Sequence, residues 1–149
     1  MKILCASLLL MAISVEAKSQ TAADSVKAVV NLLFTAMKTS NTVLLLSAFG
    51  DISILQTIAT NKDGVTVKNE SVKSFANSIK SAPSGALDER ISFDMIKIDG
   101  ALASVWTPYS FYYNNKFSHC GVNSFQLIRT SAGWKIQYLI DTRRKTGCQ

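Results

Sequence analysis

Histidine and cysteine are scarce in this sequence. The 149 residues include 1 histidine and 3 cysteines. A structural zinc site takes four Cys, His or acidic ligands at short and regular spacings, and this chain offers neither the histidines nor the spacing for one. We therefore expect no metal site and no cofactor.

Negative charge is also sparse, with 10 Asp and Glu against 16 Lys and Arg, so that the formal net charge is +6. The basic residues are scattered, and their one cluster, Arg143–Lys145, lies near the C-terminus. A nucleic-acid-binding surface needs a basic stripe with interleaved aromatic side chains, whereas the aromatic residues here lie elsewhere in the chain. The charge pattern thus predicts a mildly basic protein with no nucleic-acid partner.

Long apolar runs are confined to the N-terminus. There, Lys2 precedes the run ILCASLLLMAISV, which is short for a bilayer span. The following VEA is typical of a signal-peptidase site, so we predict a signal peptide over residues 1–17 with cleavage after Ala17. A membrane anchor is the alternative, but the polar stretch KSQTAADS follows at once. The segment predicts an exported protein, periplasmic or secreted, without stable membrane insertion.

Two cysteines, Cys120 and Cys148, remain after this cleavage, and residues 18–149 have the length of a single domain. An exported protein meets an oxidising compartment, where an even number of cysteines favours a disulfide. We predict a Cys120–Cys148 bridge. The alternative is two unpaired thiols, one in a strand and the other in the C-terminal tail.

The first half of the mature chain carries the patterns of three helices and two short strands. Thr21 with Asp24 predicts a helix start by a capping box, and Asn69 is predicted to cap a third helix. Between them, TVLLLSAFG predicts a second helix that ends at Gly50, followed by the strands SILQTIAT and VTVKN around the turn NKDG. The apolar positions expected to face the core are Val26, Val29, Val30, Leu33 and Met37 in the first helix and Val72, Phe75, Ala76 and Ile79 in the third.

From Leu87 onward the pattern changes to strands. Four long segments are joined by short turns: ERISFDMIKI, ALASVWTPYSFYY, KFSHCGVNSFQLIRT and WKIQYLIDTRRK. The turns Asp99-Gly100 and Asn114-Asn115 are typical of two-residue hairpin loops. Helices followed by an antiparallel meander predict an α+β fold.

If both loops have two residues, the pairing of the strands follows from the sequence. Ser110 is then opposite His119, Glu89 is opposite Ser110, and Phe93 and Asn123 flank Trp106. One face of the sheet is predicted to carry Glu89, Phe93, Trp106, Tyr112, Phe117, His119, Asn123 and Phe125. The other face is predicted to carry Arg90, Val105, Tyr109 and Cys120.

A bend in the sheet is predicted where Pro108 lies opposite Gly121. Proline removes a donor from the hydrogen-bonded ladder and glycine permits a bulge, so both weaken the regular strand at the same level. The sheet should therefore curl around the three helices and hold them on its concave face.

The stretch LASVWTPYSFYYNNKFSHCGVNSFQLIRTSAGWKIQYLIDTRRKTGC resembles a bacterial branch of the nuclear transport factor 2-like superfamily that carries a lumazine-binding label. Members of this branch typically read A-x-V-W-x-P-Y-x-F-Y, then S-H-C-G-V-x-S-F and G-W-K-I, and end with basic residues and G-C. The superfamily also includes ketosteroid isomerase and SnoaL-like polyketide cyclases. The resemblance implies a cone-shaped fold with three N-terminal helices packed on a curved antiparallel β-sheet.

The resemblance also implies a deep, mostly apolar pocket between the helices and the sheet. Trp106 and Tyr112 are then expected to stack on a small aromatic or polycyclic ligand, and His119 and Asn123 to form hydrogen bonds with it. The alternative is that the rings fill the core and that His119 is tied to a backbone carbonyl or to Glu89.

Catalytic residues stay unassigned at this point. An enzyme of the isomerase type needs a carboxylate base inside the pocket, but the predicted pairing puts Asp94 and Asp141 on the outer face and Glu89 near the rim. A Ser110–His119 pair has no visible oxyanion hole beside it. Three functions are therefore open: an exported small-molecule binder, an isomerase-, cyclase- or dehydratase-like enzyme, and a non-catalytic dimeric partner-binding domain.

A homodimer that pairs through the outer face of the sheet is a further implication of the resemblance. The apolar residues predicted on that face are Val105, Tyr109, Phe111, Val122 and Ile128. A contiguous apolar patch on a soluble protein usually marks an interface, and a twofold dimer is the commonest form of one.

Overall fold

The structure is a computed structural model that describes residues 21–62 and 64–148. The predicted signal peptide, residues 1–17, lies outside these residues. Within them, no helix is both long enough and apolar enough to cross a membrane. The helices are α1 (Ala22–Lys38), α2 (Thr42–Ala48) and α3 (Val72–Lys80), and the strands are β1 (Phe49–Asn61), β2 (Gly64–Glu70), β3 (Leu87–Ile91), β4 (Met95–Asp99), β5 (Leu102–Tyr113), β6 (Lys116–Thr130) and β7 (Gly133–Thr142).

Helix α1 begins as the sequence predicts. The Thr21 hydroxyl accepts the amide hydrogen of Asp24 at 3.1 Å, and the Asp24 carboxylate accepts the Thr21 amide at 3.3 Å. This capping box satisfies amides that the first turn of a helix leaves without partners. The buried residues of α1 are Val26, Val30, Leu33, Phe34, Ala36 and Met37. They confirm the predicted core-facing side of the helix.

The other two helices differ from the prediction at their ends. Helix α2 ends before Gly50, because Phe49 already pairs with β7 as the first residue of β1. Helix α3 is capped by Ser71, whose hydroxyl accepts an amide hydrogen at 3.0 Å. The predicted cap at Asn69 is wrong, because that residue is paired with β1 inside strand β2.

The strands form one sheet in the order β2-β1-β7-β6-β5-β3, and β4 pairs with the same edge of β5 as β3. In the described sheet β1 runs parallel to β7, whereas the other neighbouring strands are antiparallel. The predicted sheet, antiparallel throughout, is therefore wrong for this one pair. Helix α3 and five strands lie between β1 and β7 in the sequence, and so long a connection does not impose the direction that a hairpin imposes.

The first long strand of the predicted meander is broken in two. β3 and β4 pair one after the other with β5, and the register shifts by one residue across the intervening residues 92–94, where the Ser92 and Asp94 amides still donate to β5 carbonyls at 3.1 Å. Phe93 packs against the core there, with the Lys27 ammonium 5.7 Å from its ring centroid. Met95 is consequently opposite Trp106, and the predicted pairing of Phe93 with Trp106 is wrong.

The hairpin of β5 and β6 begins as predicted and then shifts by one residue. Its loop, Asn114-Asn115, has positive φ at both residues, 50° and 62°. Beyond the loop, Ser118 has no partner in β5, because its two neighbours pair with the consecutive residues Phe111 and Tyr112. Ser118 is thus the extra residue of a β-bulge, which the sequence did not reveal.

This bulge moves the side chains of β5 to the opposite face from the one predicted, because a shift of one residue exchanges the faces of a strand. Thr107 is now opposite Asn123, and Tyr109 is opposite Gly121. The β5 residues buried under the helices are Ala103, Val105, Thr107 and Tyr109. Trp106 points away from the helices and is 40% exposed. We call these two sides the helix-covered face and the outer face.

Cys120 and Cys148 form the predicted disulfide, with their Cα atoms 5.8 Å apart. The tail runs back along β6, where the amides of Cys120 and Arg144 each donate to the other residue's carbonyl at 2.9 Å. The bridge and these two hydrogen bonds hold the chain after Thr142 against the sheet.

Removal of this disulfide is expected to lower stability without abolishing the fold. The bridged residues are 28 apart in sequence, and the chain-entropy model assigns roughly 3–4 kcal/mol to closing a loop of this size. The melting temperature of a Cys120→Ser/Cys148→Ser protein should therefore fall well below that of the wild type. Reductant is the control, because it should lower the melting temperature of the wild type alone. Two free thiols, detected by intact mass in protein made in an oxidising compartment, would contradict the bridge.

Candidate functional site

A cavity of about 70 Å³ lies between α1, α3 and the helix-covered face. Its apolar wall consists of Leu33, Phe34, Met37, Leu55, Phe75 and Leu139. Its polar lining consists of Gln56, Thr57, Glu70, Glu89, Tyr109, His119, Asn123, Asp141 and Arg143. Two wider clefts, of about 250 and 560 Å³, share Glu70 and Arg143 with the cavity, so these two residues mark its mouth.

Glu89 is the central polar group of the cavity. Strand β3 places it opposite Phe111 on the helix-covered face. The Asn123 side-chain amide donates to Glu89 Oε1 at 2.8 Å and lies 3.4 Å from the Thr107 hydroxyl. The pKa of Glu89 is raised from 4.5 to about 7, mainly by burial and also by the nearby Asp141 carboxylate, whereas the Asn123 hydrogen bond and Arg143 oppose the rise.

The second oxygen of Glu89, Oε2, belongs to a side chain that lines both the cavity and one of the outer clefts. Among the described residues, the hydrogen bonds to Glu89 engage only Oε1. No fully buried side-chain oxygen in the described residues lacks a partner, so Oε2 retains some accessible surface. A partly buried carboxyl with one oxygen held and one without a partner is available to a ligand.

Asp141, in contrast, is surrounded by donors. The Thr57 hydroxyl donates to Oδ1 at 2.6 Å, and Arg143 Nε donates to Oδ2 at 2.9 Å. The Tyr109 hydroxyl lies 3.2 Å from Oδ2. The predicted outward position of Asp141 is wrong, because an irregularity in the pairing of β6 with β7 at Gln126 changes the alternation along β7.

Tyr109 reaches across the sheet because Gly121 leaves room for it. The Tyr109 hydroxyl lies 2.9 Å from the Thr142 carbonyl oxygen, to which it donates. A Cβ atom at position 121 would overlap the Thr142 carbonyl and lie 2.8 Å from the Tyr109 ring. Burial and the Asp141 carboxylate raise the pKa of Tyr109, so that the hydroxyl stays protonated.

His119 lies at the boundary between the cavity and one of the outer clefts. Its ring contacts Phe111, at a centroid distance of 5.0 Å, and the edge of Tyr109, at 5.8 Å. Nδ1 lies 3.0 Å from the Ser118 hydroxyl. Burial and the charge of Arg143 lower the pKa of His119, so the ring is neutral at pH 7.

The structure brings two of the four predicted ligand-binding residues to the cavity. His119 and Asn123 line it, whereas Trp106 and Tyr112 do not. Tyr112 lies under the Arg90 guanidinium, 4.1 Å from the ring centroid. The bulge in β6 is the reason, since it keeps His119 and Asn123 on the helix-covered face and puts Trp106 on the outer face. The predicted pairing of Ser110 with His119 is wrong for the same reason.

Sequence reasoning missed Tyr109, Asp141 and Arg143, and placed Glu89 too near the rim. A signal was available for Asp141, the acidic residue at the end of the largely apolar strand WKIQYLID. An acidic residue that follows so many apolar ones is a candidate for a buried position. In the part of the chain that the structure describes, no group of three or more His, Cys, Asp or Glu side chains is arranged to hold a metal ion.

The raised pKa of Glu89 makes stability depend on pH. Its folded pKa of about 7 lies above the ordinary value of 4.5, so the folded protein binds more protons than the unfolded chain between these values. The contribution is present below pH 4.5 and is lost as pH rises through 7.

A Glu89→Gln protein should therefore gain stability relative to the wild type between pH 5 and pH 8, by about 2–3 kcal/mol. Denaturant unfolding of both proteins at the two pH values measures this change. Asp94→Asn, which removes an exposed carboxylate, is the matched control and should show almost no change. A difference between Glu89→Gln and wild type that is independent of pH would contradict the raised pKa.

No family model matches the chain, and no curated protein matches it. Solved structures do. An NTF2-like protein of unknown function from Methylobacillus flagellatus is 17% identical, with a TM-score of 0.65 over 86% of this chain and 96% of that one. A second such protein, from Silicibacter pomeroyi, is 13% identical, with a TM-score of 0.65 over 84% and 100% of the two chains.

A third similar structure is a domain of unknown function with a cystatin-like fold from Nostoc punctiforme. It is 14% identical to this chain, with a TM-score of 0.67, and the match covers 87% of this chain and 82% of that one. Likeness at such low identity shows a shared fold and nothing of function. The lumazine-binding branch stays a prediction. The chain has the nuclear transport factor 2-like α+β fold, built here on a curved mixed sheet.

Proposed function

We propose that this chain is an exported protein that binds a small aromatic or polycyclic molecule in the cavity under its helices. The observation that carries the proposal is a partly buried carboxyl, Glu89, in the lining of a cavity that has an apolar wall; Asn123 holds one oxygen, and the other has no hydrogen-bond partner among the described residues. Apolar walls with a few convergent polar groups are typical of small-molecule sites.

The size of the cavity bears on what it could hold. The space of about 70 Å³ corresponds to roughly five water positions, at about 10–15 Å³ each. A single ring would fill it, and a polycyclic ligand would extend past Glu70 and Arg143 into the wider clefts. His119 lines both the cavity and one of these clefts, so it lies beside this passage.

Export is supported by the disulfide between Cys120 and Cys148, because such bridges persist in oxidising compartments. The signal-peptide pattern of residues 1–17 supports it independently. A flat heterocycle of the lumazine type is the ligand class to which the sequence resemblance points, and the cleft-and-cavity arrangement has room for one.

An isomerase-, cyclase- or dehydratase-like enzyme is the second candidate, favoured by the pKa of Glu89. A carboxyl that titrates at about pH 7 inside a cavity is populated in both forms, so it can take a proton from a substrate and return it. The two candidates differ in one measurable way, since an enzyme would convert a bound compound and lose that activity in Glu89→Gln.

The binding role of His119 can be tested with ligand-induced shifts in melting temperature. We expect at least one compound from a flavin-like, pterin-like and polyketide-like panel to raise the melting temperature of the wild type. His119→Ala should reduce that shift, because losing one hydrogen bond costs roughly 0.5–1.5 kcal/mol, or up to about tenfold in affinity. Tyr112→Leu is the control, since it removes a ring that lies outside the cavity. A lower melting temperature with an unchanged ligand shift would assign His119 to the scaffold.

Homodimerisation through the outer face is supported by its exposed apolar side chains. These are Met95 (39% exposed), Leu102 (48%), Trp106 (40%) and Ile128 (36%). The predicted patch was partly wrong, because Val105, Tyr109 and Phe111 lie on the helix-covered face. Exposed apolar residues grouped on one face usually mark an interface.

Sedimentation at micromolar concentration tests the dimer. The wild type should sediment as a dimer, and Trp106→Lys should sediment as a monomer, because the substitution buries a charge in the proposed interface. Val43→Lys is the control, since Val43 is 78% exposed on α2 and away from the sheet. A monomeric wild type, or a dimer that Trp106→Lys leaves intact, would contradict this interface.

A further inference from the structure

The cavity carries charge of the opposite sign to the protein as a whole. The full chain has a net charge of +6. The cavity is lined by three carboxylates, Glu70, Glu89 and Asp141, against a single guanidinium, that of Arg143. His119 adds no charge at neutral pH. An excess of negative charge inside a basic protein attracts a positively charged ligand to this place.

Of the three carboxylates, only Glu89 is partly buried and has an oxygen without a hydrogen-bond partner among the described residues. Asp141 is engaged by the Thr57 hydroxyl and by Arg143. Glu70 lies at the exposed mouth of the cavity, at the end of β2, where water screens its charge. Glu89 Oε2 thus remains as the carboxylate oxygen of the lining that is partly buried and has no protein partner among the described residues.

The single guanidinium is already paired with a carboxylate. Arg143 Nε donates to Asp141 at 2.9 Å, and a terminal nitrogen of Arg143 donates to the Thr57 hydroxyl at 3.2 Å. An anionic ligand would therefore meet three acidic side chains in the cavity lining against one guanidinium that is already paired with Asp141. The charges and hydrogen bonds of the site therefore disfavour an anionic ligand and favour a cationic one.

We propose that the ligand of this cavity is a small aromatic cation, such as an amidine, an aryl amine salt or a protonated nitrogen heterocycle. Its N–H groups would donate to Glu89 Oε2 while its ring lies against the apolar wall. This assignment rests on the proposed function, because it names the ligand class of that same site. Phe34 and Phe75 in the wall add aromatic faces, which attract cations as well as rings.

Binding of a cation should be linked to the titration of Glu89. Its pKa of about 7 is set by burial, by Asp141 from β7, by Arg143 and by the Asn123 amide. The other titratable groups that line the cavity are Glu70 from β2, Tyr109 from β5 and His119 from β6, whereas α1 and α3 contribute only apolar side chains to it. Because a cation binds the ionised carboxyl, its affinity should fall about tenfold for each pH unit below 7.

Benzamidine, benzamide and benzoate are suitable probes, because they share a flat shape and differ in charge. We expect benzamidine to bind the wild type at pH 8 roughly tenfold to a hundredfold more tightly than the other two, as is usual for a hydrogen bond to a charged group. Calorimetric titration gives the affinities, and chemical-shift changes of Phe34, Phe75 and His119 locate the probe. The benzamidine affinity should weaken when the titration is repeated at pH 5.5.

Two variants distinguish a specific contact with Glu89 from a general effect of the protein's charge on cation binding. Glu89→Gln keeps the shape of the side chain and an acceptor for the Asn123 amide, and it should abolish the preference for benzamidine. Asp94→Asn removes the same charge from an exposed position and should leave that preference unchanged. Equal or tighter binding of benzoate or benzamide would overturn the cation assignment, and so would a preference that survives in Glu89→Gln.

The failure of this inference is distinguishable from failure of the binding proposal. If none of the three probes binds while a compound of the flavin-, pterin- or polyketide-like panel does, the cavity is a binding site and the cation assignment is wrong. If no compound of either set binds, both proposals are wrong. In that case the cavity is a feature of packing.

Discussion

One unpaired residue in β6 determines which side chains of the sheet lie under the helices. Ser118 has no partner across the hairpin, so every later pair between β5 and β6 is displaced by one position. The displacement turns Tyr109 and Thr107 toward the helices and Trp106 away from them. The cavity and the outer face both follow from this bulge, because a strand has only two faces and one extra residue exchanges them.

A second constraint acts at the end of the chain. Gly121 leaves room for Tyr109 to reach the Thr142 carbonyl, and the disulfide of Cys120 holds the tail beside the same strand. Together these contacts place Arg143 at the mouth of the cavity, where it pairs with Asp141. The C-terminal tail is therefore part of the site, and the bridge contributes to the position of a charged group as well as to stability.

The electrostatics of the cavity depend on how its acidic groups are partnered. Asp141 is compensated by donors and a guanidinium, whereas Glu89 has one amide donor and an open oxygen. Burial without full compensation raises the pKa of Glu89 into the neutral range. Groups with such perturbed pKa values inside clefts are concentrated at functional sites, which is the reason to read this cavity as a site.

The sequence by itself determined the elements whose causes are local: the capping box at Thr21, the hairpin loop Asn114-Asn115 and the α+β order of helices before strands. The resemblance of residues 102–148 to the nuclear transport factor 2-like superfamily determined the prediction of the fold. Only the tertiary structure decided which of the predicted ligand residues reach the cavity, His119 but not Trp106. It also decided the parallel pairing of β1 with β7. These outcomes depend on strand register and long-range packing, and no local pattern marks a bulge whose extra residue is an ordinary serine.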